Sequence, residues 1–219
     1  MTGSCGRVAG SCLLPRRVPA EDRGVNRALL VIDVQESFQR LPLWRTMSHP
    51  DIAESVSRLV DHARAEGDLV VWMLHSEPGS GGVFDPVNGH LRLLGGLTPD
   101  EGEPTVVKTS HNAFTSTNLD QTLTRRGVRE LAVCGIRTEQ CCETTARVGS
   151  DLGYDVSFVI DATSTNPVAH RDAPADRGVE DLLADPRTLR TEEIIARTEY
   201  ALAGRFASIR TVAEVTGVR

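Results

Sequence analysis

Leu131–Ala162 reads LAVCGIRTEQCCETTARVGSDLGYDVSFVIDA, and the reading of this stretch decides the fold. Leu131 to Ile136 form a short apolar run, polar residues from Arg137 to Gln140 interrupt it, and a helical pattern leads to a second apolar run from Tyr154 to Ile160. Strand, turn, helix and strand in that order make a parallel α/β unit with cysteine at its turn. With Thr138 as N-cap, Cys141 falls at the third helical position, where unpaired N–H groups and the helix dipole favour an anion. An ordinary thiol, with a pKa of about 8.5, is only roughly 3% ionised at pH 7. The expectation is therefore a depressed pKa and a stabilised thiolate at Cys141.

The neighbouring cysteine has a different part. Cys142, Thr145, Ala146, Gly149 and Leu152 recur at helical spacing as a small and apolar stripe of the kind that packs on a sheet. Cys141 lies about 100° around the helix from that stripe and can face a pocket. Cys141 is thus the candidate nucleophile and Cys142 a core residue; the plain alternative is two small buried thiols.

Working outward, Ala28 to Val34 form a continuous apolar strand that ends at a carboxylate, Asp33. Ser48 and Asp51 resemble a capping box, with Pro50 in the first turn, and Ile52, Val56, Leu59, Val60 and Ala63 trace one helical face closed by Gly67. Residues 68–75 are a second strand ending at His75, and residues 105–108 a third ending at Lys108. Thr117 with Asp120 caps the next helix, and Gly127 closes it before the Glu130 strand. Residues 163–190, rich in Pro, Asp and Arg, read as an irregular lid or interface segment. A helix over 192–203 and a short element near Ile209 follow. The fold class is α/β: one domain over 26–219, a three-layer sandwich of a mostly parallel sheet with helices on both faces. Residues 1–25 read as a flexible extension.

In such sheets ligands bind beyond the carboxyl ends of the strands. Asp33, His75, Lys108 and Cys141 each sit at or just past the end of a different strand, so they share one edge. An acid, an amine and a thiol gathered there suit attack on a carbonyl. Asp33 can take the thiol proton and return it to a leaving amine, while Lys108 holds Asp33 ionised and favours the thiolate. Backbone N–H groups of the 137–141 turn face the developing oxyanion. Asp161 also ends a strand and is given no catalytic role.

The 219-residue chain is 40% hydrophobic, with a formal net charge of -6 and no long basic run. That length supports a substantial core, and the charge argues against nucleic-acid or anionic-membrane partners and for a small molecule. Its five cysteines show no C-x-x-C pair and no disulfide frame, and neither a signal-peptide core nor a membrane span is visible, which reads as cytoplasmic. Dinucleotide and phosphate-loop glycine patterns are absent from the strand ends, so no nucleotide cofactor is expected.

These residues carry a family resemblance. The chain resembles the isochorismatase-like cysteine hydrolases, the superfamily that includes nicotinamidases, N-carbamoylsarcosine amidases and ureidoacrylate hydrolases. Its D-x-Q-x-x-F is Asp33, Gln35 and Phe38; its lysine strand with a following A-F and T-x-L is Lys108, Ala113-Phe114 and Thr117 to Leu119; its G-V-x-T-x-x-C turn is Gly135 to Cys141. The resemblance implies a catalytic triad of Asp33, Lys108 and Cys141. It also implies a cis peptide joining Ile136 to Arg137, oxyanion donors at the N–H groups of Arg137 and Cys141, and a homo-oligomer.

Departures from the pattern sharpen the expectation. The Asp-x-His cluster in which nicotinamidases resemble one another is missing, with Asp85 and His90 alone in its segment, so no metal is expected. Isochorismatases that cleave a vinyl ether are thought to dispense with the cysteine, so Cys141 favours hydrolysis of an amide, ureido or carbamoyl C–N bond through a thioester. Arg137 replaces a small residue and either fills part of the pocket or meets an anionic substrate. Gln35, Phe38, Trp44, His75 and Phe114 are expected to line the pocket.

The alternatives are vinyl-ether hydrolysis, a catalytically silent member of the fold, and a redox sensor using the vicinal thiols. Cys141 and Arg147 also fit the C-x5-R pattern of cysteine phosphatases. However, CETTA has no glycine to shape a phosphate loop, and it continues a helical stripe that aims Arg147 away.

Overall fold

Each segment read as a strand becomes one. In the computed structural model, which describes residues 26–217, these are β1 (Arg27–Ile32), β2 (Leu69–His75), β3 (Thr105–Lys108), β4 (Glu130–Ile136), β5 (Asp155–Ser164) and β6 (Ser208–Arg210). The expected extension over residues 1–25 lies outside the described residues. The strands form one sheet in the order β3-β2-β1-β4-β5-β6, each pair parallel. β1 lies inside the sheet; the strands run one way from it to β3, and β4 begins the other half. The order therefore reverses between β1 and β4, which is where an open parallel sheet leaves a crevice at its carboxyl edge.

Both faces of the sheet are covered. Leu29, Val31 and Trp72 pack against Ile52, Val56 and Leu59 of α1 (Ile52–Glu66) and Val212 of α6 (Val212–Thr216). Leu30, Ile32 and Met73 face the other way, onto Leu119 and Leu123 of α2 (Leu119–Arg125), Ala146 of α3 (Glu143–Asp151) and Leu202 of α5 (Thr191–Leu202). Alternate residues of β1 thus enter opposite cores, which is why its sequence is continuously apolar. Burial of each such Val, Leu or Ile contributes about 1.5–3 kcal/mol. The sandwich is the three-layer α/β fold that the sequence implies.

Several local expectations are corrected. Ser48 and Asp51 form no capping box on α1; Ser48 instead exchanges hydrogen bonds with Thr165, donating its N–H to Thr165 O at 2.7 Å and accepting the Thr165 N–H on Oγ at 3.1 Å. Thr117 accepts the Leu119 N–H at 3.1 Å, but Asp120 is taken by the Tyr154 hydroxyl at 2.8 Å. β5 does not stop at Ile160. The β4–β5 register shifts between Val133 and Gly135, pairing Gly135 with Thr163 and extending β5 to Ser164. Asp161 is accordingly inside the strand, where its carboxylate accepts the first N–H of α6 from Val212 at 2.8 Å. Leu152 leaves the α3 stripe and is half exposed.

The 163–190 segment is less irregular than its composition implies. It contains α4 (Val179–Ala184) and an antiparallel bridge in which Val168 and Leu189 exchange backbone hydrogen bonds of 3.0 and 2.9 Å. Among the described residues no helix is long and apolar enough to cross a membrane.

Candidate active site

The ends of β1, β3 and β4 bring three reactive side chains together. Asp33 follows β1 with φ of 53°, a left-handed conformation that Asp tolerates better than most residues, and its N–H is anchored on Met73 O at 3.0 Å. Lys108 ends β3 and reaches across β2, placing Nζ 2.7 Å from Asp33 Oδ2 and 3.4 Å from Cys141 Sγ. A third contact, to Ser110 O at 3.1 Å, holds the ammonium in place. Asp33 and Lys108 are fully buried, and Cys141 is 6% exposed.

The close approach of β1 and β4 makes this cluster possible. Gly135 lies beside Ile32 with φ of 131°, and a Cβ there would stand 1.9 Å from Ile32 O, so no other residue fits. One residue on, the Ile136–Arg137 peptide is cis. The chain then enters a wide π-helical turn, Thr138–Cys142, before α3 begins at Glu143.

That turn corrects the expected cap. Thr138 does not cap the helix with its side chain; its hydroxyl donates to Thr163 Oγ1 at 2.9 Å, tying the turn to the end of β5. The turn closes instead on Arg137 O, which accepts N–H groups from Gln140 and Cys142, each at 3.2 Å.

The electrostatics overturn the expected thiolate. Burial pushes the Cys141 thiol up to about 12, with the Asp33 charge adding to the rise and Lys108 opposing it. The dipole of a short turn cannot outweigh desolvation and an adjacent carboxylate. Burial also raises the Asp33 carboxyl, while Lys108 and Cys141 pull it back. Burial thus favours the protonated form of the Cys141 thiol and makes Asp33 more basic. Cys142 is in the core, and burial raises its thiol well above the ordinary value.

The predicted pocket residues divide. Phe38 is buried under the Arg137 guanidinium, whose carbon is 5.8 Å from the ring centroid. His75 places Nδ1 3.5 Å from Lys108 Nζ and Nε2 3.3 Å from Glu77 Oε1, and burial, then Lys108, lower its pKa. Gln35 is not available to a substrate: its amide spans the Ser37 hydroxyl, the His75 carbonyl and the His75 N–H at 2.9, 3.0 and 2.6 Å. It is a brace between β1 and β2. Trp44 packs against the α1 side of the core. Phe114 belongs to the core cluster that also contains Cys141 and Cys142, stacked on Tyr154 with centroids 6.1 Å apart. Phe84 was not foreseen. Its ring meets Phe38 and His75 edge-on at 5.0 and 5.5 Å, and the only hint was an aromatic residue next to a glycine-rich loop.

Asp85 accepts N–H groups from Gly81 and Val87 at 2.9 and 3.2 Å, and so orders its own loop. Arg147 sits over the Phe206 ring at 4.4 Å and pairs with Glu143 at 2.8 Å, which leaves the C-x5-R pattern without its phosphate-binding arginine. Glu143, also unforeseen, is buried and accepts from Thr198 Oγ1 at 2.9 Å, joining the cysteine helix to α5.

The comparisons with known proteins bear on the family and the fold. The sequence pattern of the Isochorismatase domain matches residues 27–188. The chain is 34% identical over 185 residues to a streptothricin hydrolase of Streptomyces noursei, covering 84% of this chain and 70% of that protein. It is 35% identical over 152 residues to nicotinamidase 3 of Arabidopsis thaliana, covering 63% and 73%. A crystal structure of an isochorismatase from Pseudomonas putida superposes with a TM-score of 0.73 at 29% identity, over 86% of this chain and 89% of that one.

Proposed function

Because this chain belongs to the isochorismatase family of hydrolases, we propose that it hydrolyses a C–N bond of a small amide, ureido or carbamoyl compound through a thioester on Cys141. The observation that carries this reading is the single buried ammonium of Lys108, 2.7 Å from Asp33 and 3.4 Å from Cys141. Relatives named for hydrolysis of streptothricin and for nicotinamidase activity support a C–N substrate over a vinyl ether.

In this mechanism the proton leaves sulfur only as the carbonyl is attacked. Sγ adds to the carbonyl carbon while Asp33 takes the thiol proton, and Lys108 stabilises the negative charge that both groups would otherwise bear in a dry site. The N–H groups of Arg137 and Cys141 receive the oxyanion; one well-placed donor of this kind is worth about 3–4 kcal/mol. Collapse breaks the C–N bond, and Asp33 returns the proton to the departing nitrogen. Water, deprotonated by Asp33, then cleaves the thioester and restores the Cys141 thiol.

The test is a screen of amides and ureides with ammonia or amine release as the readout. Mass spectrometry of quenched reactions should show an acyl adduct on the peptide that contains Cys141. Cys141→Ala should abolish turnover, whereas Cys142→Ala keeps it and costs about 1 kcal/mol of stability. Equal activity in the wild type and Cys141→Ala would sink the assignment.

A further inference from the structure

The Lys108 ammonium is surrounded by more acceptors than it has protons to give. It carries three N–H groups, and four acceptors stand around Nζ: Asp33 Oδ2 at 2.7 Å, Ser110 O at 3.1 Å, Cys141 Sγ at 3.4 Å and His75 Nδ1 at 3.5 Å. Asp33 and Ser110, at the two shortest distances, take two of the three. The third N–H lies between sulfur and imidazole, and the contact to His75 is long for a nitrogen acceptor. His75 is thus an acceptor in reserve.

The His75 ring is held with a bare nitrogen toward that proton. His75 ends β2 in register with Lys108 of β3, so the two side chains leave the same face of the sheet. Lys108 can only donate, so Nδ1 meets it with a lone pair; Nε2 then carries the hydrogen and turns it to Glu77 Oε1, 3.3 Å away. Gln35 grips the His75 backbone at both its N–H and its carbonyl, and Phe84 meets the ring edge-on. Burial, then the Lys108 charge, lower the pKa of the ring and favour its neutral form. Asp33 and Glu77 act against them, and the exposed His111 ring is 6.4 Å away.

Resting on the C–N hydrolase reading, we propose that His75 is a positioning residue: it takes the third N–H of Lys108 when Cys141 Sγ becomes a thioester, and so keeps the ammonium on Asp33 through the second half of the reaction. In the first half sulfur gains negative charge and draws that N–H. Once the carbon–sulfur bond has formed and the amine has left with the proton from Asp33, sulfur is neutral and a poor acceptor. No proton passes between Lys108 and His75; only the hydrogen bond moves. Without His75 a buried N–H is stranded, and the ammonium is drawn away from the carboxylate that must activate water.

The experiment has two readouts. Imidazole nitrogen NMR of the full chain, with the His75 signal assigned by its loss in His75→Asn, needs no substrate. At neutral pH the ring should be uncharged with its hydrogen on Nε2. Cys141→Ala removes the sulfur acceptor and should move the His75 titration to lower pH, because the freed N–H closes on Nδ1. A hydrogen on Nδ1, or a titration that Cys141→Ala leaves in place or raises, would overturn the role. The second readout is kinetic, with an amide that the wild type hydrolyses. His75→Leu should lower kcat about tenfold or more and kcat/KM by less, with an acyl adduct accumulating on the Cys141 peptide. His75→Asn sets an amide oxygen where Nδ1 stood and should recover most of that kcat. Equal losses in kcat and kcat/KM, or an Asn variant no better than Leu, would also overturn it. Thermal melting checks folding; where His75→Leu does not fold, His75→Gln, whose longer amide reaches the Nε2 position, takes its place. The expected NMR behaviour with no turnover of any amide or ureide would count against the hydrolase reading and not the contact. Turnover with the hydrogen on Nδ1 would count against His75 alone.

Discussion

Lys108 Nζ and Asp33 Oδ2 stand 2.7 Å apart, and solvent reaches neither side chain. A pair buried to that degree gains its attraction against a desolvation cost of similar size, so its net contribution to stability is small while each partner depends on the other. Lys108→Met should therefore destabilise the fold by about 3–5 kcal/mol, because it strands the Asp33 charge. Adding Asp33→Asn should recover a large part of that loss without restoring turnover. Denaturant unfolding of the two variants decides the matter, and a double variant no more stable than Lys108→Met would mean that the pair is not coupled.

The Asp33 charge is also the second cause, after burial, of the high Cys141 pKa, and Lys108 works against it. Removing the charge in Asp33→Asn leaves Lys108 unopposed, so the Cys141 thiol becomes more acidic even as turnover falls by about 100-fold or more. Iodoacetamide labelling across pH, mapped to the Cys141 peptide, should show a profile displaced to lower pH in Asp33→Asn. The wild type should show no acid-shifted labelling. A displacement to higher pH would reverse the roles given to the carboxylate.

Gly135→Ala tests the approach of β1 to β4. The added methyl would stand 1.9 Å from Ile32 O at a φ of 131°, where neither backbone can yield without breaking the sheet beside the site. A loss of more than about 4 kcal/mol is expected, enough to leave the chain insoluble or unfolded. A folded Gly135→Ala protein with ordinary cooperativity would contradict this geometry.

Stability should fall in alkali for a reason that lies in the core. Burial pushes the Cys134 thiol up to about 12. Above pH 9 the unfolded chain gives up that proton and the folded chain keeps it, so the folded state loses up to about 1.4 kcal/mol per pH unit until the folded pKa is passed. Cys134→Ala removes this share. The stability gap between wild type and Cys134→Ala should narrow by up to about 2 kcal/mol between pH 8 and pH 10.5, and a constant gap would show that the thiol is not shifted.

Much of the site was legible because its residues are tied to strand ends. β3 was read at its observed bounds, Thr105–Lys108, since Pro104 and the polar residues after Lys108 bracket a short apolar run. Asp33, Lys108 and Cys141 could be assigned to one edge because parallel strands all present their carboxyl ends on the same side. The packing of Phe114 was not legible, for the opposite reason. A motif position says which loop a residue is on, but the face toward which its ring turns depends on Tyr154 and Gly149, which are remote in sequence.

The amino-acid sequence by itself determined the layer order, the parallel sheet and the reactive side chains, since apolar periodicity and turn residues act over short spans of chain. Only the tertiary structure decided how those side chains behave. The Cys141 thiol sits at a turn that would favour a thiolate in isolation, yet it keeps its proton because folding removes water and sets Asp33 beside it. His75 reads as one more residue at the sheet edge until folding sets its Nδ1 3.5 Å from Lys108 Nζ. Desolvation and long-range proximity are properties of the packed chain, and no local pattern of residues encodes them.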